Sequence, residues 1–169
     1  MKKYLLAACF LSVSLPVMAQ PDSVKYVNEI NEQVWKPFIA HLVAGNQGGF
    51  RSLHSSRITR VEIDEGKLMD YEKYFPPIDP KQQEQSKKYK RTFELRFDKR
   101  ISNGSRAWES GYYKGTVIPE GKEPRSYYGR FYVLLEKENG VWKILVDADT
   151  GKDATEENFN RASAMEIKQ

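Results

Sequence analysis

The sequence predicts an α+β domain in which helices lie on one face of an antiparallel sheet. Two observations carry this. Apolar residues recur at spacings of three and four near the start of the chain, and apolar and polar residues alternate through its C-terminal half. Two Asn-Gly pairs then punctuate the alternating runs, which is the short-range signal of hairpins.

The chain opens Met1-Lys2-Lys3, continues through an apolar stretch to about Val13, and reaches Pro16-Val17-Met18-Ala19. This order reads as a secretory signal over residues 1–19, cleaved before Gln20, and predicts a periplasmic or secreted protein. Leu6-Ala7-Ala8-Cys9 resembles a lipoprotein box but leaves too short an apolar region before Cys9. No run approaches the ~20 apolar residues of a membrane helix, so no membrane association is expected after cleavage. Cys9 is the only cysteine, so the mature chain has neither disulfides nor thiolate chemistry. Two of the formal charges behind the net +4 are Lys2 and Lys3. The remainder is near balance with its signs interspersed, which argues against a nucleic-acid partner.

From Val24 to Ala44, Val24, Val27, Ile30, Val34, Trp35, Phe38 and Leu42 form one helical face. Ser23 is placed to cap it, Gly45 to end it, and Pro37 to kink or break it near Trp35–Lys36. A second helix is expected from Asn46 or Gln47 to His54, then a short strand over Arg57–Ile63. Between Gly66 and Lys90, Leu68, Met69, Tyr71, Tyr74 and Phe75 fit the inward face of a third helix, stopped by Pro76-Pro77, with a polar stretch over Gln82–Lys88. Four strands follow as a meander, turning at Asn103-Gly104, Pro119-Glu120-Gly121 and Asn139-Gly140. Parity places Phe93/Leu95/Phe97, Phe131/Val133/Leu135 and Trp142/Ile144/Val146 against the helices. Glu94/Arg96/Asp98, Arg130/Tyr132/Leu134/Glu136 and Lys143/Leu145/Asp147 fall on the other face, to be solvated or covered by a second subunit. The domain is expected over 20–151, with a polar, frayed tail over 152–169.

This order of elements, with Leu53-His54-Ser55 closing the short helix, resembles the nuclear transport factor 2-like superfamily. The stretch Gly129-Arg130-Phe131, the Asn139-Gly140 turn and Trp142-Lys143-Ile144 followed by Asp147 is similar to its SnoaL-like branch. The similarity spans Val24 to Thr150 and rests on structural motifs, which speak for fold more than function. It implies a cystatin-like cone: a curved sheet, the meander plus a short N-terminal strand, wrapped around N-terminal helices, with a pocket at the open end and often a homodimer through the sheet face. Members resembling ketosteroid isomerase hold a carboxylate base and a hydrogen-bonding acid in that pocket. Neither maps onto a residue here, although Glu109, Asp147 and Asp149 lie near strand ends.

The candidate acid–base residues are His54, Asp149 and Glu109, with His54 requiring a carboxylate within hydrogen-bond reach. The candidate pocket comprises Trp35, His54, Arg60, Tyr74, Trp108, Tyr112, Tyr128 and Asp149, with Tyr127 in the same aromatic set and Arg60 placed to neutralise an anionic ligand. His41 reads as surface or core. Asp147-Ala148-Asp149-Thr150-Gly151 fails as a calcium loop, because Gly151, Lys152 and Asn158 stand at the fifth, sixth and twelfth positions. It fails as an aspartic-protease motif because too little chain follows. Asn103-Gly104-Ser105 fits a glycosylation sequon but occupies a tight turn. No phosphate loop, Ser/His/Asp set or metal cluster is legible, and no cofactor is expected. The leading reading is an exported pocket protein for a small apolar or aromatic molecule. Its alternatives are a cofactor-free isomerase or dehydratase using a pocket histidine and carboxylate, and a structural dimer.

Overall fold

The computed structural model describes residues 22–81, 84 and 89–165. The expected signal segment and most of Gln82–Lys88 lie outside the described residues. Helix α1 (Asp22–Ile30) runs through a π-helical turn, Asn31–Trp35, into α2 (Lys36–Ala44). Ser23 is therefore inside α1 and not its cap. The expected kink or break takes the form of this π turn, just before Pro37, whose nitrogen has no proton to donate, and α2 follows it without an intervening loop. Gly45 ends α2 with φ 64°, while its own and the next backbone N–H bond back to Leu42 and His41. Asn46 caps α3 (Gln47–Ser52) by accepting from Gly49 N at 2.9 Å. His54 thus begins β1 (His54–Glu62) and does not end a helix.

Residues 67–74 differ from the expected helix. They form a three-residue strand, β2 (Lys67–Met69), and a single turn, α4 (Tyr71–Tyr74). Leu68 is 68% exposed on β2 at the sheet edge. Gly66, with φ 62°, supplies the turn that lets β2 fold back on β1, which a helix across these residues would not permit. The meander follows as β3 (Lys90–Ser102), β4 (Arg106–Ile118), β5 (Arg125–Glu138) and β6 (Val141–Thr150). Asn139 and Gly140 both have positive φ, as a type I′ turn demands. The β3–β4 connection instead uses three residues, in which Asn103 Oδ1 accepts from Ser105 N and Arg106 N.

The curved sheet has the order β2-β1-β6-β5-β4-β3-β7 and is not closed into a barrel. One pairing, β1 with β6, is parallel, so the sheet is mixed and not wholly antiparallel. Strand β7 (Ser163–Ala164) and helix α5 (Glu156–Arg161) come from the tail expected to fray. Two apolar residues in that polar stretch explain the difference. Phe159 is 2% exposed, edge-on to Tyr128 and beneath the Arg96 guanidinium, and Met165 packs against the core. The tail thereby covers one end of the outer sheet face.

The core lies between the helices and the inner face. Trp35 is at its centre, with ring centroids 5.7–5.8 Å from Phe38, Phe97 and Phe131. Phe93, Leu95, Phe97, Phe131, Val133, Leu135, Trp142 and Ile144 face it as parity predicts. Val146 does not. The β5–β6 register slips between Leu134 and Leu135, inserting Leu145 as a bulge, so Leu135 pairs with Ile144 but Leu134 pairs with Val146. Beyond that bulge the faces exchange. Val146 turns outward beside Leu134, and Asp147, expected outside, turns inward beside Val133. A second bulge, at Asp98 in β3, likewise turns Arg100 inward opposite Glu109.

Candidate functional site

The bulge in β6 builds the polar end of a cavity. Asp147 and Asp149, two residues apart on one strand, share its inward face. In the parallel pairing Arg60 stands directly opposite Asp147. Its Nη2 donates to Asp149 Oδ1 at 2.7 Å and its Nη1 to the Asp147 carbonyl at 3.3 Å, with Asp147 Oδ1 3.5 Å away. Tyr74, carried in by α4, donates its hydroxyl to Asp147 Oδ2, and Tyr113 of β4 donates to Asp149 Oδ2, both at 3.2 Å. Two carboxylates, one guanidinium and two phenols thus form a continuous network.

Two glycines make room for the tyrosines. Tyr113 lies across Gly129 on β5, where an added Cβ would come within 2.0 Å of its ring. Tyr127 lies across Gly115 on β4, where the corresponding distance is 2.1 Å. No side chain larger than hydrogen leaves those rings in place. The tyrosines pack edge to face at 6.3 Å, and Phe93 stacks on Tyr113 at 5.3 Å. The half-open cavity they line, about 200 Å³, is floored by Trp35 and walled by Phe38, Leu42, Leu95, Phe131, Val133 and Ile144. A second groove of about 300 Å³ adjoins it across Leu42 and Tyr74 and is bordered by His41 and Arg51. The cavity is the stronger candidate, because Arg60, Asp147 and Asp149 form one hydrogen-bonded network in it beside its apolar walls.

Burial shapes the chemistry of these groups. Desolvation, reinforced by the Asp149 charge, pushes the Asp147 carboxyl above its ordinary range, while Arg60 and the Tyr74 hydroxyl pull it back. Burial and the neighbouring aspartates push both tyrosine hydroxyls up, so they remain proton donors.

Of the expected site residues, Trp35, Arg60, Tyr74 and Asp149 come together here, as does Tyr127 at the half-exposed rim. His54 is close by but separate. It is 5% exposed, and its ring is surrounded by Phe38, Phe50, Tyr74 and Phe75. Its Nδ1 bonds the Phe50 carbonyl at 2.9 Å, which requires the proton on Nδ1, and its Nε2 has no hydrogen-bond partner among the described residues. Burial, strengthened by the charges of Arg60 and Lys143, lowers its pKa to about 4 despite the Phe50 bond. Neutral and bonded to no carboxylate, it does not form the expected acid–base pair with Asp149.

Glu109 is also removed from the cavity. It lies behind Trp35, 1% exposed, accepting from Trp35 Nε1 at 2.5 Å and from Arg100 Nε at 2.9 Å. Arg100 in turn reaches Asn31 Oδ1 and the Met165 carbonyl, tying the tail to the helices. Glu109 holds the cavity floor from below.

Trp108, Tyr112 and Tyr128 are on the outer face, opposite to expectation. Trp108 is 40% exposed beside Tyr132, Tyr112 lies under Arg130, and Tyr128 packs on Phe159. The residues that line the cavity are their neighbours Tyr113 and Tyr127. The signal was available: Tyr127 and Gly129 share parity with Phe131, and any strand that points Asp149 inward points Asp147 inward too.

No family model matches the chain, and no curated protein matches it. Solved structures do. A nuclear transport factor 2-like superfamily protein from Salmonella enterica aligns with TM-score 0.57 and 16% identity, over 75% of this chain and 91% of that one. The association domain of Caenorhabditis elegans CaMKII aligns with TM-score 0.56 and 12% identity, over 76% and 98%. A Shewanella frigidimarina protein provisionally described as a ketosteroid isomerase aligns with TM-score 0.55 and 19% identity, over 73% and 97%. The chain therefore has the nuclear transport factor 2-like fold, with helices set into a curved sheet as that cone requires. Similarity at this level carries the architecture, and function must be argued from the cavity.

Proposed function

We propose that the protein is an exported pocket protein that holds a small apolar or aromatic molecule by its polar end. The observation that carries the reading is the convergence of apolar walls on the Arg60–Asp147–Asp149 network. A dry cavity of about 150 Å³ accommodates benzene, so this one suits a single substituted ring. Gly129→Ala tests it with benzyl alcohol as probe. The new methyl cannot coexist with the Tyr113 ring where it lies, and that ring lines the cavity. Wild type is expected to bind benzyl alcohol measurably by calorimetry, and the variant at least about tenfold more weakly, or about 1.4 kcal/mol, with an unchanged far-UV spectrum. Equal binding by both proteins, or none by wild type, would count against the reading.

A second reading, a cofactor-free acid–base enzyme, is favoured by the buried Asp147 with its raised pKa beside the Tyr74 hydroxyl. In this form Asp147 takes the role that His54 lacks the partner to fill. The homodimer remains part of the proposal only for the outer-face region around Trp108 and Tyr132, since α5 lies over the Tyr128 end.

A further inference from the structure

We infer that the cavity selects an organic cation, a primary ammonium or similar donor-rich nitrogen carried on one aromatic ring. The inference rests on the pocket reading above and adds the ligand's charge.

It follows from counting donors and acceptors at the polar end. Most side-chain donors placed there by the fold already face a carboxylate, Tyr74 to Asp147, Tyr113 to Asp149 and the Arg60 Nη atoms to both residues, while the Tyr127 hydroxyl sits at the exposed rim. Each carboxylate has about four lone-pair sites, and these contacts leave several of them unfilled. What the site mainly offers a newcomer is acceptors. Charge points the same way, because one guanidinium stands against two aspartates. Arg60 Nε is buried without a hydrogen-bond partner among the described residues, but a guanidinium bracketed by two carboxylates presents no net positive charge to an anion. The expected role of Arg60 as an anion receptor is thus already taken up inside the protein.

The walls add a second, independent preference. Tyr74, Tyr113, Tyr127 and Phe93 surround the space next to the aspartates, and aromatic faces attract cations. Arg60 itself demonstrates the contact, its guanidinium carbon lying 5.5 Å from the Tyr74 ring centroid. A ligand ammonium would meet carboxylate oxygens ahead and ring faces at its sides, in a cavity sized for the ring behind it.

The test is calorimetric titration of the purified chain at neutral pH with three probes of one shape: benzylamine, benzyl alcohol and benzoate. Benzylamine is expected to bind at least about tenfold more tightly than benzyl alcohol, with benzoate weakest. Asp149→Asn, which removes one of the two carboxylate charges, is expected to bring the ratio of amine to alcohol affinity close to one, and a ratio unchanged from wild type would overturn the inference. Equal affinity for amine and alcohol, or preference for benzoate, overturns the inference but leaves the pocket reading standing. Failure of all three to bind wild type overturns both. The wild-type series decides the question even if Asp149→Asn fails to fold.

Discussion

Arg100→Leu is expected to destabilise the protein by about 3–5 kcal/mol, the range for breaking a buried ion pair by removing one partner. The guanidinium is Glu109's only cationic partner among the described residues, and that carboxylate is almost completely buried behind Trp35. The substitution also strips a donor from Asn31 Oδ1 and from the Met165 carbonyl, so it loosens the tail and the cavity floor together. Urea denaturation at neutral pH measures the loss. Burial already pushes the Glu109 carboxyl up, and without Arg100 it rises further, so the deficit should shrink as the carboxyl takes a proton in acid. Adding Glu109→Leu to the variant should recover part of the stability, because an apolar pair in place of a buried ion pair is often neutral. A loss under about 1 kcal/mol for Arg100→Leu, at the ceiling for exposed pairs, would show that the network is not a keystone.

The second large effect concerns acid. His54 has a pKa of about 4 in the fold against an ordinary 6.5, so the unfolded chain takes the proton first. Its contribution is complete above pH 6.5, declines as pH falls from there, and is gone below about 4. The shift corresponds to about 3 kcal/mol. His54→Leu removes this dependence. At neutral pH the variant should be modestly less stable, having lost the bond to the Phe50 carbonyl, yet it should lose less stability than wild type between pH 6.5 and 4. The raised carboxyls of Asp147 and Glu109 work in the opposite sense, gaining relative stability as pH falls, but both are present in each protein and cancel in the comparison. Parallel pH curves for the two proteins would refute the assignment of His54 as a buried neutral group.

Sequence reasoning reached the architecture because its signals are local and repetitive. Alternation in Phe93–Phe97 and Phe131–Leu135, the Asn139-Gly140 turn, and the helical spacing from Val27 to Trp35 each specify an element and the side it buries. It reached only part of the cavity, and the failures have two physical sources. Parity propagates along a strand only while the register holds. One extra residue at Leu145 reverses every side chain after it, which is how Asp147 came to be expected outside. In β4, Tyr112 and Tyr113 are adjacent and both faces carry large side chains, so the pattern there does not choose between them. The pairing with Gly129 does choose, but it becomes visible only once β4 and β5 are aligned. The tail was misjudged because its order depends on two residues, Phe159 and Met165, in an otherwise polar run.

The central claim, that this cone is an exported receptor for a small ring, is tested most directly by native mass spectrometry of the protein purified from its own host. The account predicts a chain beginning at Gln20 and carrying one small aromatic molecule per cavity, released intact on activation. A chain retaining residues 1–19 would contradict export. A chain of either length arriving empty, even from freshly lysed cells, would contradict the resident ligand and leave the acid–base enzyme, with a substrate bound only in passing, as the better account of Asp147.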